Sequence, residues 1–188
     1  MRLFLIRHPE PDGGACICYG RTDLPVSQDA LDAAVARARD VMDGPAGYCV
    51  SSPLARCTRL ARGLAKNISL DDRLAEIDFG SWEGQRWDDI DRAEFDHWAA
   101  DHVHRRVPGG ESWDDVCRRA ASFLEDARAL DAERVTAVTH AGVTRALLAV
   151  VLGTALEATW HIGVPFGCVV TVELGATSQD DSLVGITG

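Results

Sequence analysis

A chain of 188 residues, 46% of them hydrophobic, is expected to form one α/β domain over residues 1–188 with a sizeable core, rather than two domains. Its formal net charge of −10 argues against a broad nucleic-acid-binding surface, and no apolar run approaches the roughly 18–20 residues of a membrane span. Six cysteines, at positions 16, 18, 49, 57, 117 and 168, come with no secretory pattern at Met1–Arg7 and no CxxC pair. They read as reduced thiols of a cytoplasmic protein.

In chain order, Leu3–Ile6 reads as a short buried strand. A Pro- and Gly-rich loop follows from Pro9 to Pro25. Ser27 caps a helix whose apolar positions Leu31, Ala34, Val35 and Ala38 have helical spacing. Tyr48–Ser51 is the second strand. Ser52 is placed to cap the next helix with Pro53 at its first position, and that helix runs through Leu60 and Leu64. Leu70–Ile77 contains an extended piece and leads into the turn-prone segment Asp78–Gly84. Asp88–Ala100 reads as helical with Ile90, Phe95 and Trp98 inward. Ser112, with Asp115 in a capping-box relation, opens another helix, striped by Val116, Ala120, Phe123, Leu124 and Ala127. Val135–Thr139 is a strand, Val143–Leu152 a helix and Cys168–Leu174 a strand. Ser182–Thr187 either adds an edge strand or frays. This alternation predicts an α/β fold, a three-layer sandwich with a mostly parallel central sheet covered on both faces.

Three motifs fall at predicted strand ends, the edge where open α/β sheets bind ligands. They are Ile6-Arg7-His8, Ser51-Ser52-Pro53-Leu54-Ala55-Arg56 and Thr139-His140-Ala141-Gly142. Arg56 lies in the first turns of a helix, where unpaired N–H groups and the helix dipole favour an anion. Its planar fork matches phosphate oxygens. Arg7 and His8 are adjacent, so both reach one site only if the chain bends after Ile6. A neutral imidazole attacks phosphorus while flanking cations lower its pKa and stabilise phosphoryl oxygens. His140 is placed to donate a hydrogen bond to the same oxygens. Glu76 is the candidate acid for the leaving alkoxide and the later base for water. Asp78 and Glu83 compete for that role.

At these residues the sequence resembles the histidine phosphatase superfamily, also called phosphoglycerate mutase-like. The matching segments are Arg7-His8-Pro9, Ser51–Arg56, Glu76–Gly84 and His140-Ala141-Gly142, and they span nearly the whole chain. The resemblance implies a phosphoglycerate mutase-like fold and a phosphohistidine at His8. It implies that Arg7, Arg56 and His140 hold the phosphoryl group, that Glu76 is the proton donor, and that no metal or other cofactor is required. Cys18–Pro25, Pro108–Ser112 and Thr159–Cys168 are similar to the alpha-ribazole phosphatase subgroup of cobalamin biosynthesis. Two departures stand out. Pro9 replaces the usual Gly after the nucleophile and removes an N–H, and Pro11 replaces a Thr or Ser and removes a hydroxyl donor. Arg21 is the candidate that compensates as a phosphate or substrate ligand.

The expected activity is therefore hydrolysis of a small phosphorylated metabolite, with alpha-ribazole 5'-phosphate as the first candidate. A broad sugar- or nucleotide-phosphate phosphatase is the alternative. A phosphoglycerate mutase is disfavoured because those chains usually carry extra shielding segments. A weakened phospholigand binder is disfavoured because nucleophile and acid are both retained. The expected partner is thus a small molecule, neither nucleic acid nor membrane; the sequence sets no oligomeric state. Trp82, Trp87, Trp113 and Tyr19 are read as packing residues rather than a pocket for an aromatic leaving group. His97, His102 and His104 with Asp96 and Asp101 are read as a solvated helix end rather than a metal site. Arg105-Arg106 is read as solvated charge.

Overall fold

The run Leu3–Ile6 has apolar side chains on both strand faces, which suits only a strand covered on both sides. The computed structural model, which describes residues 1–188, places it at the centre of a six-stranded sheet. The strands are β1 (Arg2–Arg7), β2 (Tyr48–Ser51), β3 (Ser69–Leu70), β4 (Arg134–Thr139), β5 (Val169–Glu173) and β6 (Ser182–Thr187), in the order β3-β2-β4-β1-β5-β6. β3, β2, β4 and β1 are parallel, β5 pairs antiparallel with β1, and β6 pairs antiparallel with β5. The helices are α1 (Gln28–Met42), α2 (Ala55–Leu64), α3 (Arg92–Ala99), α4 (Trp113–Arg128), α5 (Ala141–Val151) and the short α6 (Leu156–Thr159).

Alternation along β1 divides the core. Phe4 and Ile6 pack with Leu31, Ala34 and Ala38 of α1 and with Leu60 and Ala61 of α2. Leu3 and Leu5 pack with Val116, Ala120 and Leu124 of α4 and with Val143, Ala146 and Leu147 of α5. The result is the expected three-layer α/β sandwich. A satellite cluster of Cys18, Trp82, Ile90 and Val107, with Phe95 and Trp98 against it, lies beside the main core. The caps read from sequence at Ser27 and at Ser112 with Asp115 are formed.

Four local expectations are corrected. β1 runs through Arg7, one residue further than the apolar run, because Arg7 still pairs with Thr139 of β4. α2 starts at Ala55 with Leu54 as its capping residue, not at Pro53. Its first full-turn backbone bond is Thr58 N–H to Leu54 O at 3.0 Å, and the Ser52 hydroxyl lies closer to His140 Nε2, at 2.8 Å, than to the Leu54 nitrogen, at 3.4 Å. The extended piece expected within Leu70–Ile77 is only the two-residue β3, Ser69–Leu70, because the Asp71 carboxylate accepts the Arg73 N–H at 2.9 Å and starts a 3₁₀ turn. Asp88–Ala100 is not one helix: Asp91 caps α3 through the Glu94 N–H at 3.0 Å, cutting it from a 3₁₀ turn at Trp87–Asp89. Ser182–Thr187 does pair, as β6 on the edge beside β5.

Candidate active site

Parallel, in-register pairing of Arg7 with Thr139 sets the next residue of each strand side by side. His8 and His140 therefore leave adjacent strand ends with ring centroids 5.0 Å apart. β2 aligns Ser51 with Val138, which brings Ser52 to the same edge. The turn after β1 is fixed at both ends, by the His8 N–H on Thr139 O at 3.0 Å and the Gly167 N–H on His8 O at 3.2 Å.

His8 is 2% exposed. Its Nδ1 lies 2.7 Å from the carbonyl oxygen of Pro9. A carbonyl only accepts, so Nδ1 carries the proton and Nε2 of the neutral ring keeps its lone pair. Burial, then the charges of Arg56 and Arg7, push the His8 pKa down to about 3, against the Pro9 hydrogen bond that favours the charged form. Pro9 lacks an N–H, yet its carbonyl sets the tautomer that leaves Nε2 bare.

His140 is fully buried and stands at the first position before α5 without capping it through its side chain. Its Nε2 lies 2.8 Å from Ser52 Oγ and 3.4 Å from Cys57 Sγ. Burial first, then His8 and Arg56, hold its pKa well below the ordinary histidine value. Both rings are thus uncharged, and the positive charge at this edge belongs to the arginines.

The Arg56 side chain is 1% exposed. It donates from Nη2 to Gly20 O at 2.6 Å and from Nη1 to Thr22 O at 2.7 Å. Its buried Nε has no partner. Arg7 donates from Nη1 to Val164 O at 2.6 Å and lies 3.6 Å over the Phe166 ring. Phe166 in turn packs against His8, with centroids 5.6 Å apart. The Nε of Arg7 is also buried without a partner. Each guanidinium is anchored by part of its fork and keeps donors free. Buried unpaired donors on two cations that both act on His8 suit an anionic ligand.

Glu76 Oε2 accepts the Gly142 N–H at 3.2 Å and Oε1 accepts the Ile77 N–H at 3.1 Å. A Cβ at residue 142 would fall 2.5 Å from Glu76 Oε1 and 2.5 Å from Trp113, so the glycine permits this approach. Of the two rivals, Glu83 is the more fully engaged. Glu83 accepts the N–H groups of Gly20, Arg21, Thr22 and Phe79 and the Thr22 hydroxyl. Asp78 Oδ1 accepts the Gly80 N–H at 2.8 Å.

The structure thus gathers His8, His140, Arg7, Arg56 and Glu76 at one sheet edge. It does not bring Arg21 into the same arrangement. That guanidinium lies 3.9 Å from Asp78 and 3.7 Å from Glu111 and is 40% exposed. Ser52 was read from sequence only as a cap and Glu83 only as a rival acid, and Phe166 and Arg145 were not singled out. Arg145 lies on α5, its Nε is buried without a partner, and burial holds its pKa down while Glu76 opposes that shift. No group of three or more His, Cys, Asp or Glu is arranged to hold a metal. All six cysteines are free.

The model of the histidine phosphatase superfamily (branch 1) matches residues 3–184. The chain belongs to this superfamily. This histidine phosphatase is 30% identical over 172 residues to phosphoserine phosphatase 1 of Hydrogenobacter thermophilus, covering 87% of this chain and 82% of that one. It is 27% identical over 189 residues to the adenosylcobalamin/alpha-ribazole phosphatase of Escherichia coli, covering 93% and 90%. Its fold superposes on the crystal structure of the alpha-ribazole phosphatase of Shigella flexneri with a TM-score of 0.87 at 24% identity, covering 97% and 94%. No helix is long and apolar enough to cross a membrane.

Proposed function

We propose that the protein hydrolyses phosphomonoesters of small metabolites through a phosphohistidine at His8. The observation that carries this reading is the buried neutral imidazole, its Nδ1 tied to Pro9 O and its Nε2 bare beside two arginines with unpaired Nε–H groups. Nε2 attacks phosphorus while Arg7, Arg56 and His140 hold the equatorial oxygens. The P–O ester bond breaks, its electron pair goes to the leaving oxygen, and the Glu76 carboxyl supplies the proton. Water then attacks the phosphohistidine and gives its proton to the Glu76 carboxylate. The P–N bond breaks, restoring the Nε2 lone pair and releasing inorganic phosphate.

The proposed substrate is alpha-ribazole 5'-phosphate. The similarity to alpha-ribazole phosphatases and the segments Cys18–Pro25 and Thr159–Cys168 support it. The relative from Hydrogenobacter supports phosphoserine as the competing substrate.

Incubation with each ester followed by a quench in base should trap an acid-labile phosphohistidine in the wild type and none in His8→Ala. Label retained in His8→Ala would remove this residue from the role. Glu76→Gln should lower kcat by roughly 10²–10⁴-fold on alkyl esters, and by much less on esters with good leaving groups. Equal loss on both would remove the acid role. A kcat/KM for phosphoserine above that for alpha-ribazole 5'-phosphate would overturn the substrate assignment.

A further inference from the structure

Beside Glu76 lies an open cleft of about 490 Å³ lined by Trp98, Ala99, His102, Trp113 and Trp160. The rings form a continuous aromatic wall. Trp113 meets Trp160 edge-to-face with centroids 5.0 Å apart, Trp160 meets His102 at 6.0 Å, and His102 meets Trp98 at 5.7 Å. Trp113 is only 5% exposed, while Trp98, His102 and Trp160 are half-buried. Packing alone does not require three indoles and an imidazole around an open space in a chain with few aromatic residues, since an unfilled apolar surface of this kind forfeits contacts.

Trp113 links the cleft to the reaction centre through Gly142. The Trp113 ring edge and Glu76 Oε1 both stand 2.5 Å from the place a Cβ would take on Gly142, so one residue separates the floor of the cleft from the proposed acid. The segment from Trp160 to Phe166 makes the same connection along the chain. Trp160 walls the cleft, Ile162 O accepts from Arg145 at 3.3 Å, Val164 O accepts from Arg7 at 2.6 Å, and Phe166 packs on His8. The Arg145 guanidinium lies 5.4 Å over the Trp160 ring, and it feels the charge of Glu76.

We infer that this cleft is the leaving-group subsite and that it selects phosphomonoesters carrying a planar, fused aromatic or heteroaromatic ring. The ring stacks offset or edge-on against Trp98, His102 and Trp160 and rests on Trp113, with the ester oxygen at Glu76. Trp98, His102 and Trp160 are thereby specificity-determining residues. Trp113 was read from sequence as a packing residue, and here it serves as the floor of a binding surface as well. The inference rests on the phosphatase reading, since it names the substrate class of that same site.

The test uses three alkyl esters whose leaving alcohols have similar acidity: propyl, benzyl and 2-naphthylmethyl phosphate. It also uses the matching non-hydrolysable propyl and 2-naphthylmethyl phosphonates. The kcat/KM should rise through the ester series, through KM, with naphthylmethyl exceeding propyl by roughly tenfold or more, the size expected for one stacked ring. In Trp98→Leu and in His102→Ala the naphthylmethyl-to-propyl ratio should fall toward one. Circular dichroism should report a retained fold. Calorimetric titration should give the naphthylmethyl phosphonate the same advantage over propyl phosphonate, with quenching of tryptophan fluorescence. Equal kcat/KM across the three esters in the wild type would overturn the cleft assignment while leaving the phosphatase reading intact. Tight naphthylmethyl phosphonate binding, weakened by Trp98→Leu, in a protein that turns over none of the esters would do the reverse. Should Trp98→Leu unfold because of its contact with Trp82, the His102→Ala ratio decides alone.

Discussion

At the scale of single residues, proton placement follows from which partner can only accept. Pro9 O fixes the His8 tautomer, and burial with Arg56 and Arg7 keeps the ring neutral down to about pH 3. Nitrogen-15 NMR of His8 should therefore show a protonated Nδ1 and a bare Nε2 at pH 7, unchanged at pH 5. A midpoint near 6.5 would show that these groups do not depress it. Ser52 illustrates the opposite case, a residue whose job depends on a distant partner. Its hydroxyl is 2.8 Å from His140 Nε2 and 3.4 Å from the Leu54 N–H it was expected to cap. Ser52→Ala should slow phosphoenzyme formation by up to about tenfold, the size of one hydrogen bond, with Ser52→Thr restoring much of it. Rapid-quench measurement of the burst phase distinguishes this from a change in substrate binding.

At the scale of elements, the loop carrying Gly20–Asp23 has little apolar anchoring of its own and is held by one carboxylate. Glu83 accepts three successive backbone N–H groups of that loop and the Thr22 hydroxyl. The loop in turn offers Gly20 O and Thr22 O to Arg56. These donors hold the Glu83 pKa below the ordinary carboxylate value against the opposing effect of burial. Glu83→Ala should cost about 2–3 kcal/mol in urea unfolding and raise KM, because the Arg56 fork loses its anchors. A KM equal to wild type would show that Arg56 is positioned by α2 alone. A Cβ on Gly142 conflicts with Glu76 and Trp113 at 2.5 Å. Gly142→Ala should therefore lower kcat on poor leaving groups at least tenfold, the lower range of acid catalysis, while circular dichroism shows the fold retained.

For the whole molecule, two buried neutral histidines couple folding to pH. The unfolded chain binds protons at His8 and His140 as the pH falls through 6.5, whereas the folded protein does not until far lower pH. Stability is thus fully present above about pH 6.5 and declines below it, by about 1.4 kcal/mol per pH unit for each histidine. For His8 the decline ends near pH 3, where the folded protein takes up the proton. His104, raised by its exposed contact with Asp114, works in the opposite direction. Urea midpoints at pH 7.5 and 5.5 should differ accordingly, and His8→Gln should reduce the slope by about the contribution of one histidine. A flat profile between these values would mean that the two rings titrate normally in the folded state.

Much of this molecule was legible in the sequence because it depends on local chemistry. Alternating apolar runs specified the layered sheet, and Ser27 and Ser112 specified two helix starts. Arg7, His8, Arg56, Glu76 and His140 stood out because strand ends and the turn behind Glu76 are punctuated by recognisable residues. Tertiary structure decided what depends on separation in space. The in-register pairing of β1 with β4 sets His8 beside His140. The 30 residues between Ser52 and Glu83 give no sign that one orients a histidine while the other clamps the 20–23 loop. Arg21, a candidate phosphate or substrate ligand by sequence, meets Asp78 and Glu111 instead, because those carboxylates lie within 4 Å of it in the fold. The aromatic cleft shows the same division. Its tryptophans were visible one by one, but only folding brings Trp98, Trp113 and Trp160 together around a space beside Glu76, since a cavity is a property of several distant segments and of no single one.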